Sequence, residues 1–346
     1  MFCKKVVMYV LFLSISVLLS SCQMQTAMDP ITEARMDIES ADSIMGDWEG
    51  TWQLSDGSDS GPVVAQIIAL GSGKYKAKIM SEFDTREAPI AVLDGRRDGI
   101  FIRFEGPGEY EYNSFQIKAV LQDRQFKGTF SGDAFGSVLL EKVVRVSPTI
   151  GEKPPAEAIV LFNGRNFKQW EHTGEFAGQP FQWLLKDGVM EVKKGKGSIV
   201  TKKKFTNFKL HVEFRTPFMP DARGQGRGNS GVYLQERYEV QVLDSYGLEG
   251  EDNECGGIYK IGKPLVNMCA PPTQWQTYDI TFYAHSDERE NAQVTVVHNG
   301  VTIHDELKLP KPTGGALNSD ISKPGGIYLQ DHGNPVQYRN IWLVEL

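Results

Sequence analysis

From Gly46 to Leu346, apolar and polar residues alternate in short runs broken by Gly, Asp and Asn. A period of two puts successive side chains on opposite faces of a strand, and breaks this frequent favour antiparallel sheet. Between Gly46 and Val146 the runs predict eight strands, near Trp48–Leu54, Pro62–Leu70, Lys74–Ser81, Ile90–Leu93, Gly99–Phe104, Ser114–Gln122, Gln125–Ser131 and Gly136–Val144. The turns between them are short, as at Ser55-Asp56-Gly57 and Gly71-Ser72-Gly73. Such connections predict an up-and-down meander that closes, wholly or partly, into a small barrel. Residues 147–158 carry Pro148, Pro154 and Pro155 and read as a linker that few contacts cross.

Residues 159–346 form the second unit. Its strands are expected at Phe181–Val192, Phe208–Arg215, Gly231–Gln235, Tyr238–Asp244, Thr277–Ala284, Ala292–His298, Val301–Leu307, Gly326–Gln330 and Arg339–Glu345. Asn299-Gly300, between two alternating runs, predicts a two-residue hairpin. Strands joined by loops this long fit a two-sheet sandwich of jelly-roll type, so the whole fold is expected to be all-β.

The same periodicity sorts the polar side chains. Along Phe208–Arg215, Leu210, Val212 and Phe214 face one way, and Lys209, His211, Glu213 and Arg215 the other. Glu239 and Gln241 oppose Val240 and Val242, with Asp244 just beyond, where a bend could bring it to their side. Tyr233 and Gln235, then Tyr328, Gln330 and His332, add aromatics, amides and an imidazole. Carboxylates and amides suit sugar hydroxyls, rings suit sugar C–H faces, and a titratable pair can move protons. An ordinary wet sheet face also alternates, but it carries Lys, Thr, Ser and Glu rather than repeated Gln, Tyr and His. His211, His285, His298 and His304 read singly as surface residues, and Glu249 to Glu254 as a solvated acidic loop.

Composition adds a compartment. Lys4 and Lys5 precede a mostly apolar stretch, Val6–Leu19, that is short for a membrane span and has the form of a signal peptide over residues 1–21. Leu19-Ser20-Ser21-Cys22 resembles the lipobox cleaved by lipoprotein signal peptidase, which makes Cys22 the acylated residue and residues 22–45 a tether, with a short helix through Ile31–Ile44. The expectation is a lipoprotein held in the bacterial envelope, in the periplasm or at the outer membrane, by its acyl chains. Without Lys4 and Lys5, 35 basic residues face 44 acidic ones, a net charge of −9 and no footprint for nucleic acid. Cys255 and Cys269 remain, either bridged or as two buried thiols.

At this point the residues carry a family resemblance. Leu161-Phe162-Asn163-Gly164 with Trp170, Glu213-Phe214-Arg215, Asn229-Ser230-Gly231-Val232-Tyr233 and Tyr238-Glu239-Val240-Gln241-Val242-Leu243-Asp244-Ser245 occur in order. Gly257 with Tyr259, Trp275, Asn299-Gly300, Leu329-Gln330-Asp331-His332-Gly333 and Arg339-Asn340 complete the series. Residues 159–346 thereby resemble the bacterial 3-keto-disaccharide hydrolase domain. Gln276 and Tyr338 stand where that family usually has Asn and Phe. The resemblance implies a concanavalin A-like jelly roll and cleavage of glycosides oxidised to a ketone at C3. Such a ketone acidifies the C2 hydrogen, so a base can remove it, the C1 substituent can leave, and water can then add. Glu239, Asp244 and His332 are the candidate proton carriers. Gln241 and Arg339 are candidate donors to the sugar or an enolate oxygen, Gln330 and Tyr233 line the face, and Glu213 and Arg215 either join the site or support it. A divalent metal at the ketone oxygen would serve the same electrostatic purpose, and no motif decides for or against it.

Two other readings share this sequence. A lectin-like module would bind glycan without cleaving it, although it has no need of proton carriers. A retaining glycosidase would use the run Glu239-x-Gln241-x-x-Asp244, but Gln241 replaces an acid that such enzymes carry. Over residues 46–146 only the opening Gly46-Asp47-Trp48-Glu49-Gly50-Thr51-Trp52 resembles anything familiar, the first strand of lipocalin-like or avidin-like barrels. That unit contains no His and no catalytic constellation, so binding or spacing is its expected use.

Overall fold

The computed structural model describes residues 30–346; the signal stretch and Cys22 lie outside the described residues. The described chain opens with α1 (Pro30–Ala41), and beyond it the regular structure is almost entirely β. Strands β1 (Gly46–Leu54), β2 (Ser60–Ala69), β3 (Lys74–Met80), β4 (Ala91–Asp98), β5 (Phe101–Tyr110), β6 (Asn113–Gln122), β7 (Gln125–Gly132) and β8 (Gly136–Val143) pair antiparallel in sequence order. β8 returns to β1, with Gly50 opposite Leu140, and closes the barrel. Closure leaves neither sheet edge exposed. Trp48, Ile67, Leu93, Phe104, Phe126 and Leu140 fill the interior. Gly95 makes room for them, since a Cβ there would sit 2.3 Å from the Phe104 ring.

The second unit comprises β9 (Ile159–Phe162), β10 (Trp170–His172), β11 (Leu184–Lys186), β12 (Val189–Glu191), β13 (Ile199–Thr201), β14 (Phe208–Arg215), β15 (Ser230–Leu234), β16 (Tyr238–Val242), β17 (Gln276–Tyr283), β18 (Ala292–His298), β19 (Val301–Leu309), β20 (Tyr328–Leu329) and β21 (Gln337–Glu345). A five-stranded sheet runs β10-β13-β20-β15-β16. An eight-stranded sheet runs β11-β12-β21-β14-β17-β18-β19, with β9 also on β21. Val232, Val240 and Val242 from the first sheet and Leu210, Val212 and Phe214 from the second belong to one buried core. Asn299 and Gly300 take φ of 48° and 85°, the left-handed pair that a tight hairpin requires.

Three differences from the sequence expectation have physical causes. The single strand expected at Phe181–Val192 is two, β11 and β12, because Asp187 and Gly188 turn left-handed between them. β9, β10 and β13 were not foreseen; three or four residues are too few to display a period. Far more also crosses the proline segment than its composition suggested. The Ser147 and Thr277 hydroxyls are 2.6 Å apart, Thr149 Oγ1 donates to Asp279 Oδ2 at 2.7 Å, and the Gly151 N–H donates to Glu213 Oε1 at 2.6 Å. The segment thus covers the outer face of β14 and β17, and that cover is one reason His211, expected at the surface, is buried. His298 and His304 are buried too, while His285 is partly exposed.

Candidate functional site

Glu239 sits on β16, directly opposite Tyr233 of β15. Its neighbours in sequence, Tyr238 and Val240, face the core, so its carboxyl points away from the sandwich interior. The turn that sets this register is Gln235-Glu236, with φ of 50° and 65°. Neither residue is glycine, so the left-handed turn costs energy that its bonds must offset. Gln235 Nε2 donates to Phe205 O at 2.9 Å, and Glu236 accepts from the Gly326 N–H at 2.9 Å and from the Lys204 ammonium. Gly231 supplies the space, because a Cβ there would lie 2.3 Å from Glu239 Oε1.

The carboxyl is 3% exposed, and burial pushes its pKa up to about 8 against the opposing effect of the Tyr233 hydroxyl. At neutral pH it is therefore mostly an acid. Tyr233 donates to Gly314 O at 2.9 Å and accepts from Gln330 Nε2 at 3.1 Å. The Tyr328 ring packs 4.6 Å from that of Tyr233, and its hydroxyl donates to Ser198 Oγ. Gln330 Oε1 is buried with no partner among the described residues, an acceptor waiting for a donor.

Gln241 points to the same face. Its Nε2 reaches Asn229 Oδ1 at 3.1 Å, and Asn229 in turn donates to Gln225 O at 2.8 Å. The Asn229 N–H donates to Asn334 Oδ1 at 2.7 Å. Gln225 and Asn334 were not singled out from the sequence; lone amides in loops give no periodic signal. The ring of half-exposed Tyr259 lies beside Gly314, where an added Cβ would meet it at 3.2 Å.

Asp244 does not join Glu239. It is buried on the far side of the strand end, where Arg227 Nε donates to its Oδ2 at 2.6 Å. Burial raises its pKa, and Arg227 works against the rise. His332 is exposed just beyond β20. Beside it, Asp331 accepts from the Lys196 and Gly197 N–H groups and fixes the loop.

Glu213, Arg215 and Arg339 lie on the opposite side of the sandwich. They alternate with core residues of β14 and β21, so they occupy the outer face of the eight-stranded sheet, whereas Glu239 occupies that of the five-stranded sheet. Arg339 Nε donates to Glu213 Oε2 at 2.7 Å and its Nη1 to Glu33 Oε1 of α1 at 2.6 Å. The guanidinium groups of Arg215 and Arg339 both stack on Trp275, at 4.6 and 4.1 Å. No single sugar can touch these three residues and Glu239.

A triplet capable of holding metal, Glu152, His211 and Asp279, lies on that far face, with ligand atoms within 4.8 Å of one another. Burial alone would lower the His211 pKa, but hydrogen bonds to Asp279 and Glu213 lift it to about 9. His211 lies between the Asp279 and Glu213 carboxylates, 2.6 Å and 3.5 Å away. Cys255 and Cys269 are free buried thiols, the first 3.2 Å from the Tyr278 hydroxyl.

Residues 157–344 match the family model of the 3-keto-alpha-glucoside-1,2-lyase-like domain. A candidate glycosyl hydrolase of Parabacteroides distasonis ATCC 8503 is 38% identical, over 56% of this chain and 85% of its own, with a TM-score of 0.49. A second candidate glycosyl hydrolase of that organism is 21% identical, over 55% of this chain and 94% of its own, with a TM-score of 0.42. No curated protein matches significantly.

Proposed function

The chain belongs to the family of the 3-keto-alpha-glucoside-1,2-lyase-like domain, and on that premise we propose that its sandwich cleaves glycosides already oxidised to a ketone at C3. The observation that supports this reading is the buried Glu239 carboxyl, held protonated near neutral pH on a face lined by Tyr233, Gln241 and Gln330. In the proposed sequence His332 accepts the C2 proton, the C1–O bond breaks, and Glu239 protonates the departing oxygen. The electron pair of the C2–H bond becomes the C1=C2 bond, conjugated with the ketone. Water then adds its oxygen to C1, its proton returns to Glu239, and the His332 proton returns to C2, so both residues recover their starting states and the net reaction is hydrolysis. Gln241 and Gln330 hold hydroxyls or the enolate oxygen. The test incubates the purified protein with matched glycosides, native and 3-keto, and follows release of the aglycone. Release from the 3-keto member alone is expected; equal release from both would return the chain to ordinary glycosidase chemistry.

The proposal includes a place. Among the described residues no helix is long and apolar enough to cross a membrane, and the reading assigns anchoring to acyl chains on Cys22. Cys22→Ser should abolish incorporation of labelled fatty acid, since the thioether forms on that sulfur alone. Label persisting in the variant would remove the anchor from the reading.

A further inference from the structure

The barrel contains a cavity of about 810 Å³ at the end where the β1–β2, β5–β6 and β7–β8 hairpins turn. Trp52, Ile79, Phe115, Ile117, Phe130 and Val138 form its wall. The Phe115 and Phe130 rings stand 5.3 Å apart. Below them Trp48, Phe104 and Phe126 are all but fully buried and form its floor. The cavity is thus a cup with a packed floor and one mouth, of a size that encloses a drug-sized molecule. Eight-stranded barrels can be filled by their own side chains or hold one small ligand.

The mouth has its own chemistry. Asp56, Asp59, Glu111 and Asp133 line it, and no Lys, Arg or His does. Tyr110 and Phe135 add rings that are 45% and 59% exposed. A carboxylate has about four acceptor positions; Asp133 uses one for the Ser114 N–H at 3.0 Å. The mouth can therefore accept hydrogen bonds from a ligand, while a ligand anion would meet four negative charges and no cation.

We propose that the barrel is a binding site for an uncharged, ring-containing apolar molecule bearing hydroxyl groups, its rings in the aromatic cup and its hydroxyls at the acidic mouth. The site rests on the barrel alone and is independent of the chemistry assigned to Glu239. Aglycones of many glycosides belong to this class, which would place a receptor for the released half of a substrate on the same chain as the cleaving domain.

Fluorescence titration of the full chain tests it with probes that share a ring system and differ in charge. Uncharged N-phenyl-1-naphthylamine should bind saturably, at least tenfold tighter than 1-anilinonaphthalene-8-sulfonate. 2-Naphthol should displace it, and 2-naphthoate should do so at least tenfold less well. Ile117→Trp and Val138→Trp fill the cup and should each weaken binding at least tenfold, whereas Glu49→Ala, exposed on the outer wall, should not. Should the filled variants fail to fold, Asp56→Asn combined with Asp133→Asn leaves the cup intact and should narrow the naphthol-over-naphthoate preference at least threefold. The site is overturned by absence of saturable binding, by equal competition from 2-naphthoate, by binding that survives filling in a folded variant, or by a preference that the double variant leaves unchanged.

Discussion

A carboxyl that titrates near 8 is an acid when the enzyme is at neutral pH, and Glu239 owes that state to burial. Glu239→Gln keeps the shape and the hydrogen bonds of the protonated form but has no proton to give. Turnover of a 3-keto glycoside should fall by about 10² or more, as should that of His332→Ala. Lys209→Ala, on the outer face of the other sheet, should be almost silent. The pH dependence follows from the same group. Its folded pKa lies above its unfolded value, so the folded state binds the extra proton between about pH 4.5 and 8. Stability from this carboxyl is complete below pH 4.5 and lost as pH rises through 8. Glu239→Gln should therefore flatten that part of the stability profile while wild-type activity declines above pH 8. A variant with undiminished rates, or one that unfolds, contradicts the assignment. At this scale the sequence already singled out Glu239, Gln241, Tyr233 and Gln330, because alternation sorts residues by strand face. It did not carry the pKa of Glu239, which depends on burial of the carboxyl in the folded sandwich.

At the scale of elements, β14 and β21 form a charged ladder that ties down the linker and α1. Asp279, His211, Glu213, Arg339 and Glu33 follow one another in contact. Burial would raise the Glu213 pKa, but His211, Arg339 and Asn340 draw it down to about 2. Its contribution is present above pH 4.5 and lost as pH falls toward 2. His211 contributes below pH 6.5 and loses that contribution as pH rises through 9. The clamp is therefore complete between about pH 4.5 and 6.5. Glu213→Gln leaves Arg339 and His211 partly unpaired and should cost about 3 kcal/mol in urea denaturation at pH 6. The acid limb of the stability profile should become shallower as well, and an unchanged midpoint would remove Glu213 from the clamp. Alternation identified Glu213 and Arg215 as outward-facing. It could not say that this outward face belongs to the sheet away from Glu239, since period two distinguishes the sides of one strand and not the sides of a sandwich.

For the whole molecule, barrel and sandwich are joined through buried polar contacts as well as shared core. The Tyr246 hydroxyl donates to Asp47 Oδ1 at 2.6 Å, and Arg145 approaches the same carboxylate at 3.8 Å. Lys78 pairs with Glu249 at 2.6 Å, and Arg86 donates to Leu265 O and Gly250 O. Burial raises the Asp47 pKa; Arg145 and the Tyr246 hydroxyl oppose the rise. Tyr246→Phe removes a donor from a buried carboxylate and should cost about 1–3 kcal/mol. Unfolding should remain one transition with a lowered urea midpoint. A midpoint that does not move would show that this contact couples nothing.

The local rules were enough for the all-β character, for the eight strands of the first unit, for the hairpin at Asn299-Gly300 and for the rows of polar residues, because each depends on neighbours in sequence. The family match rests on ordered motifs and is likewise a property of the chain. Closure of β8 onto β1, the burial of His211 beneath the linker, the pairing of Asp244 with Arg227 and the separation of Arg339 from Glu239 depend on residues that are not neighbours in sequence. Their arrangement is decided when two sheets meet across one core, since only then does an outward face become a site, a clamp or an interface.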